Sequence, residues 1–165
     1  MPSITRILSV LALFGLLAAP AMPRAWGAET DPAILAAVDS AIAAINAGSV
    51  TDAKAVFTDA PAAIIDDFPP FLWSGKNAVE DYSRDLKAVL TKYGITDWRF
   101  QRHQPRYILA TEDRAWLVVP TSFPFLLGGK TQSVSADWVF VLAKIDGKWR
   151  IDSSVFADTH HTLLP

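Results

Sequence analysis

The sequence predicts an α+β fold in which a curved, mostly antiparallel sheet is folded over N-terminal helices. Apolar side chains recur at helical spacing up to about residue 93, and from residue 96 onward the pattern changes to a period of two. Glycine-containing turns separate the long alternating segments that follow. Helices that precede a run of consecutive strands are typical of this fold class.

The first two helices have clear signals for where they begin and end. Asp31 and Pro32 predict the start of the first helix, with the carboxylate as N-cap and proline at the first helical position. Gly48 predicts its end, and a short second helix is expected from Ser49 through Phe57. The apolar positions of the first helix recur at helical spacing: Ile34, Leu35, Val38, Ile42 and Ile45.

A brief strand and a third helix are expected next. Residues 62–65 are short and apolar, which favours a strand. Ser74 is expected to cap the third helix and Gly94 to end it. One face of this helix is apolar and is formed by Val79, Tyr82, Leu86, Val89, Leu90 and Tyr93.

The rest of the chain is predicted to be strands, over residues 96–104, 107–110, 115–127, 133–144 and 149–156. The pairs Gly128-Gly129 and Asp146-Gly147 predict hairpin turns. Both faces of residues 133–143 are largely apolar, so we expect one face to cover the helices and the other to contact a second subunit. The sequence therefore predicts a homodimer, which substitution of Trp138 or Phe140 is expected to disrupt.

The N-terminus has the features of a secretory signal peptide. Arg6 supplies a positive charge, and residues 7–19 are almost entirely apolar and are followed by small residues. This run is too short to span a bilayer comfortably, and an uncleaved membrane anchor is the alternative. We therefore expect a signal peptide at residues 1–28, one mature domain at residues 29–165, and a periplasmic or secreted protein.

Composition and missing motifs restrict the partners and cofactors. The net charge of −2 argues against nucleic acid or an anionic membrane as the main partner. The chain has no cysteine, which excludes disulfides and thiol nucleophiles. It has no glycine-rich phosphate loop, nucleophile elbow or zincin motif, and no cofactor is expected. His160 and His161 follow Asp158, but adjacent histidines usually point in different directions, so no metal site is expected.

The segment from Ala62 to Gly75 carries the strongest functional signal. Asp66 and Asp67 directly follow the short predicted strand, and an aromatic loop that contains prolines leads to the next helix. The pattern indicates acidic groups at the mouth of an apolar cavity, where a carboxylate could act as a base on an apolar ligand. The alternative is a pair of loop acids that bond to local backbone amides. The loop side chains expected to contact the ligand are Phe68, Phe71, Leu72 and Trp73.

Four segments, in their order and spacing, resemble one known superfamily. They are residues 42–48, 56–59, 65–75 and 146–151. The chain is similar there to the nuclear-transport-factor-2-like superfamily, and to its SnoaL-like and ketosteroid-isomerase-like branch. The resemblance implies a cone-shaped α+β barrel, commonly dimeric, whose open end holds a small-molecule pocket. Isomerases, dehydratases, cyclases, epoxide hydrolases and non-enzymatic binders share this fold, so it implies no single activity.

The resemblance also implies roles for individual residues. The carboxylate that shuttles a proton in ketosteroid isomerases falls on Asp67, with Asp66 as the alternative. The protonated acid that donates to an oxyanion in those enzymes falls on Asp137. Their tyrosine in the first helix is replaced here by Ala41, and Tyr82 is the candidate substitute. Since loss of an oxyanion donor costs about a hundred- to a thousand-fold in rate, a true steroid isomerase is not expected.

Two further interpretations complete the set of candidates. His103 lies on the polar face of its predicted strand and could line the pocket as an auxiliary acid–base group. An ion pair of Asp137 with Arg99 or His103 is the structural alternative to a catalytic role. The sequence therefore predicts an exported protein that binds a small apolar molecule. It would carry out cofactor-free isomerisation, dehydration or cyclisation, or else serve as a non-catalytic binding or dimeric assembly module.

Overall fold

A computed structural model describes residues 31–159. The predicted signal peptide and the pair His160 and His161 lie outside these residues, so export and localisation stay predictions. Within residues 31–159, no helix is both long enough and apolar enough to cross a membrane.

The elements follow the predicted order of helices, a short strand, a helix and then consecutive strands. The helices are α1 (Pro32–Asn46), α2 (Val50–Val56) and α3 (Ala78–Lys92). Two short strands lie between α2 and α3: β1 (Ala63–Ile65) and β2 (Leu72–Trp73). The strands after α3 are β3 (Ile95–Thr96), β4 (Gln101–Arg102), β5 (Tyr107–Ala110), β6 (Arg114–Leu127), β7 (Lys130–Ile145) and β8 (Lys148–Asp158).

All of these strands belong to one curled sheet. Its order is β2-β1-β8-β7-β6-β3, and β4 and β5 also pair with β6. β1 runs parallel to β8, and the other pairs are antiparallel. The sheet wraps around the helices, which confirms the predicted cone-shaped α+β architecture.

The predicted starts of α1 and α2 are confirmed. The Asp31 carboxylate accepts a hydrogen bond from the Ala33 N–H at 3.0 Å, with Pro32 at the first helical position. The Ser49 hydroxyl accepts one from the Asp52 N–H at 3.3 Å. These caps give backbone N–H groups in the first turns a partner that the helices themselves do not supply.

The prediction that Ser74 caps α3 is wrong. Gly75 has a φ of +78°, and the Ala78 N–H bonds to the Gly75 carbonyl at 3.0 Å, so a turn precedes the helix. Asn77 occupies the N-cap position of α3 and makes no side-chain capping hydrogen bond.

The strand predicted over residues 96–104 is interrupted. β3 ends at Thr96, Asp97 has a φ of +49°, and pairing with β6 resumes at Gln101. The reason lies in α1: the Asn46 side chain accepts from the Phe100 N–H at 2.7 Å and donates to the Phe100 carbonyl at 2.9 Å. The backbone of Phe100 therefore bonds to a helix rather than to a neighbouring strand.

The two faces of β7 differ in their neighbours. Trp138, Phe140 and Leu142 are buried in the core beneath the helices, whereas Val139 and Val141 point to the outer face and are half-buried. Trp138 and Phe140 are therefore core residues, and the choice of these two as contacts with a second subunit is wrong. The outer face is the one left for a partner.

Candidate active site

A cavity of about 120 Å³ lies between α3, the end of β1 and the inner face of the sheet. Aliphatic side chains of α3 and the sheet form part of its wall. Six aromatic side chains form much of the rest: Phe68, Tyr93, Phe100, Phe123, Phe125 and Phe156. Three acidic residues also line it: Asp66, Asp67 and Asp158. Acidic groups at an apolar cavity therefore occur at the place the sequence indicated.

Asp66 is the most buried of these acids, with 7% of its surface exposed. It is the first residue after β1, and its own N–H bonds to the carbonyl of Phe71 across the loop at 3.3 Å. One carboxyl oxygen accepts from the Tyr82 hydroxyl at 2.8 Å, and the other accepts from the Asp67 N–H at 2.8 Å. Strand β1, the loop and helix α3 together fix the position of this carboxyl group.

Burial changes the acidity of Asp66. Removal from water raises the pKa of Asp66 to about 8, because the charged form loses its hydration. The hydrogen bonds from Tyr82 and the Asp67 amide favour the charged form and lower the pKa, but by less than burial raises it. The same burial raises the pKa of the Tyr82 hydroxyl well above its usual range. At neutral pH, Asp66 is thus mainly a neutral carboxylic acid that lies close to its point of ionisation.

Two aromatic rings, those of Trp73 and Phe68, pack against Tyr82 beside Asp66. Tyr82 and Trp73 meet edge to face with ring centres 5.1 Å apart, and Phe68 lies 5.0 Å from Trp73 and 5.9 Å from Tyr82. The Trp73 indole N–H donates to the Asp85 carboxylate at 2.9 Å, which fixes its orientation. Phe68 lines the cavity itself, as expected, whereas Trp73 and Leu72 do not, so the expectation that these two contact the ligand is wrong. Trp73 instead packs against Tyr82.

Of the other two acids of the cavity, Asp67 was predicted from the sequence as a site residue and Asp158 was not. Asp67, to which the resemblance assigned the proton-shuttling role with Asp66 as the alternative, is half-buried, whereas Asp66 is buried. Asp158 was missed as a pocket residue because β8 was predicted to end at Phe156, two residues too early. Since alternate residues of a strand share a face, continuing the period of two from Phe156 places Asp158 on the cavity side.

The role that the resemblance implied for Asp137, a protonated acid that donates to an oxyanion in the pocket, is wrong. Asp137 lies on the outer face of β7, opposite Pro120 of β6, and does not line the cavity. Its carboxylate accepts from the Arg106 guanidinium at 3.1 Å, and both side chains are partly exposed. The expected structural role as an ion-pair partner thus exists, but with Arg106 rather than with Arg99 or His103.

Two other candidates also lie away from the cavity. His103 is exposed, and its imidazole Nε2 lies 3.3 Å from the Ser122 hydroxyl on the outer side of the sheet. Phe71 is 55% exposed and does not line the cavity, because it has a φ of +69° and turns its side chain outward. The expected placement of both at the pocket is therefore wrong.

The helix-one position that holds a tyrosine in ketosteroid isomerases is buried here. Ala41 is 1% exposed and packs in the core of α1, so it contributes no hydroxyl. Tyr82, the proposed substitute, donates its hydroxyl hydrogen to Asp66. In this arrangement Tyr82 is a partner of the acid, and it does not line the cavity.

A larger groove of about 670 Å³ lies on the other side of α3, next to α1 and α2. Its lining mixes exposed charged residues such as Arg84 and Lys87 with apolar ones. The smaller cavity is the better candidate site because it contains the buried acid with the strongly shifted pKa. No group of three potential metal ligands occurs within residues 31–159.

The sequence matches the family model of the SnoaL-like domain over residues 34–157. The chain therefore belongs to the SnoaL-like domain family. No curated protein has a matching sequence.

Solved structures place the same fold in several proteins. A ketosteroid isomerase-like protein from Erwinia carotovora is 16% identical, with a TM-score of 0.61 over 78% of this chain and 95% of that one. A nuclear-transport-factor-2-like superfamily protein from Salmonella enterica is 18% identical, with a TM-score of 0.61 over 77% and 89%. A hexachlorocyclohexane dehydrochlorinase, LinA type 2, is 12% identical, with a TM-score of 0.66 over 81% and 88%. At these identities the likeness concerns the fold alone.

Proposed function

We propose that the protein binds a small, largely apolar molecule in the 120 Å³ cavity and that Asp66 exchanges a proton with it. The reaction class is cofactor-free proton transfer, as in an isomerisation, dehydration or cyclisation. The fold is compatible with this class, since a ketosteroid isomerase-like protein and a hexachlorocyclohexane dehydrochlorinase share it.

One observation carries the proposal: a buried carboxyl group with a pKa of about 8 lines an apolar cavity. A general acid or base works best when its pKa lies near the operating pH, because both protonation states are then available. An ordinary exposed aspartate has a pKa near 4 and would rarely be protonated at neutral pH. Burial of Asp66 beside Tyr82 thus supplies both forms near pH 8.

The test follows hydrogen exchange in cyclohexanone, a one-ring ketone, in deuterated water. We expect the protein to accelerate deuterium uptake next to the carbonyl, and Asp66→Asn to lower that rate about a hundredfold or more. The rate should rise with pH up to about 8, because the ionised form of Asp66 is the one that removes a proton.

Asp137→Asn is the matched control, since it makes the same substitution on the outer face of the sheet, away from the cavity. It is expected to keep the rate of the unaltered protein. Equal rates for that protein and for Asp66→Asn would contradict the proposed proton transfer.

A non-catalytic ligand-binding or dimeric assembly module is the second candidate function. Ala41 favours it, because the oxyanion donor expected at that position is missing. The outer face of the sheet favours it as well. Apolar side chains there are well exposed: Tyr107 at 60%, Leu109 at 41% and Trp116 at 39%. We propose that this face joins two copies of the chain, whether or not the cavity is catalytic.

A further inference from the structure

We propose that the cavity selects small organic cations, whose apolar body is about one ring in size, over neutral or anionic molecules of the same shape. The inference rests on the proposed ligand-binding function and adds the chemical class of the ligand. It is drawn from the size of the cavity, its aromatic wall and the sign of its charged groups.

The size of the cavity limits the apolar body of the ligand. Its volume is about 120 Å³. A cavity of about 150 Å³ in another protein accepts benzene, so one six-membered ring or a chain of similar bulk is a reasonable fit here. Any charged group of such a ligand would have to lie close to the lining.

The aromatic wall favours a cation over a neutral group. Phe100 and Phe123 stack with ring centres 4.6 Å apart, and Phe156 meets Phe100 edge to face at 5.5 Å. These rings line the cavity together with Phe68, Phe125 and Tyr93. Ring faces carry partial negative charge and attract ammonium groups, an effect that grows when water is excluded.

The charged groups of the lining have one sign. Asp67 and Asp158 line the cavity together with Asp66, whose carboxyl group is mainly neutral at pH 7, and among the residues that the structure describes no lysine, arginine or histidine lines it. A carboxylate ligand would therefore lose its hydration without meeting a positive partner, which is costly. An ammonium group would meet acidic side chains and ring faces instead.

One basic group lies beside the lining without being part of it: the Lys92 ammonium is 5.1 Å from the centre of the Tyr93 ring. Two arginines of the sheet are paired with acids outside the cavity. Arg106 pairs with Asp137 on the outer face, and Arg102 pairs with Asp39 of α1. The titratable carboxyl groups that line the cavity are thus acidic side chains, in a protein of only slightly negative net charge. A partly enclosed site of one sign favours ligands of the opposite sign.

The test compares three compounds of matched shape at pH 7: benzylammonium, benzyl alcohol and benzoate. Isothermal titration calorimetry is expected to show that benzylammonium binds about tenfold more tightly than benzyl alcohol, and that benzoate binds most weakly. Added salt should reduce the advantage of benzylammonium over benzyl alcohol.

Aspartate-to-asparagine variants, measured by the same calorimetry, test whether the preference depends on the acidic groups of the cavity rather than on its shape. The double variant Asp67→Asn and Asp158→Asn is expected to lose most of the preference for benzylammonium over benzyl alcohol. Asp137→Asn, which removes one charge outside the cavity, is the control and should keep the preference.

Two results would overturn the inference while the binding function stands: benzyl alcohol binding as tightly as benzylammonium, or an undiminished preference in the double variant. If none of the three compounds binds, the proposed function fails together with the inference.

Discussion

Asp66 lies where the chain leaves β1, and its surroundings explain why one aspartate among many has unusual acidity. Most of its surface is buried, yet both carboxyl oxygens accept hydrogen bonds, from the Tyr82 hydroxyl and the Asp67 amide. Burial penalises the charge and the hydrogen bonds favour it. Because burial dominates, the pKa of Asp66 rises to about 8.

This shift makes the stability of the protein depend on pH. Between about pH 4 and pH 8 the folded state holds a proton on Asp66 that the unfolded state has lost, so the free energy of unfolding should fall as pH rises. The slope contributed by one proton is at most about 1.4 kcal/mol per pH unit. Urea unfolding at a series of pH values should show this decline in the unaltered protein and its loss in Asp66→Asn. A decline of equal size in both proteins would contradict the assignment.

Tyr82→Phe tests the contribution of the Tyr82 hydrogen bond, which opposes the effect of burial on the pKa of Asp66. The variant removes a hydrogen bond that favours the ionised form, so the pKa of Asp66 should rise further above 8. Titration of the Asp66 carboxyl carbon by NMR measures this directly. A lower pKa in the variant would mean that the Tyr82 hydroxyl favours the neutral acid instead.

The contact between α1 and the cavity wall depends on one side chain. Asn46, in the last turn of α1, bonds to both the N–H and the carbonyl of Phe100, whose ring lines the cavity. The backbone of Phe100 is thereby held although it belongs to no strand. The end of a helix thus positions part of the apolar wall.

We expect Asn46→Ala to destabilise the protein by about 2–3 kcal/mol, because two backbone groups of Phe100 lose their partners. Urea unfolding measures the change. Asn77→Ala is the matched control: Asn77 is exposed and makes no capping hydrogen bond, so a change within about 0.5 kcal/mol is expected. Similar losses in both variants would contradict this role for Asn46.

The extents of several elements could be predicted because their signals are local. Asp31 and Pro32 predict the start of α1, and the turn at Asp146 and Gly147 separates β7 from β8. The direction of side chains was harder to predict. Alternate residues of a strand point to opposite faces, so an error of one residue in the assignment exchanges the buried and exposed sets. Asp137 was assigned to the inner face for this reason, and Asp158 was missed where β8 continues past Phe156. The partner of Phe100 depends on a contact distant in sequence, which no local pattern reveals.

The sheet as a whole presents one face to the helices and leaves the other uncovered within residues 31–159. Cross-strand neighbours on the outer face are apolar: Leu109 lies opposite Trp116, and Trp116 opposite Val141. Tyr107, Val118 and Val139 extend the same row. A sheet face that is exposed to water usually carries alternating polar residues, so this composition favours contact with a second copy.

We expect the protein to be a dimer in solution and Trp116→Glu to raise its dissociation constant about thirtyfold or more, since a charge would be buried at the centre of the interface. Sedimentation equilibrium measures the effect. Leu72→Glu is the control, because Leu72 is 53% exposed but lies on β2 at the far edge of the sheet. A monomeric unaltered protein, or equal weakening by both changes, would contradict the proposed interface.

The parallel pairing of β1 with β8 has a consequence for how the protein can be studied. Residues 63–65 pair with residues 153–155, so Asp66 is held in its pocket only when two segments far apart in the chain have come together. We therefore expect Asp66 to titrate near pH 8 only in molecules in which β1 has paired with β8. The resonance of this one side chain can serve as a built-in reporter of correct assembly in any preparation.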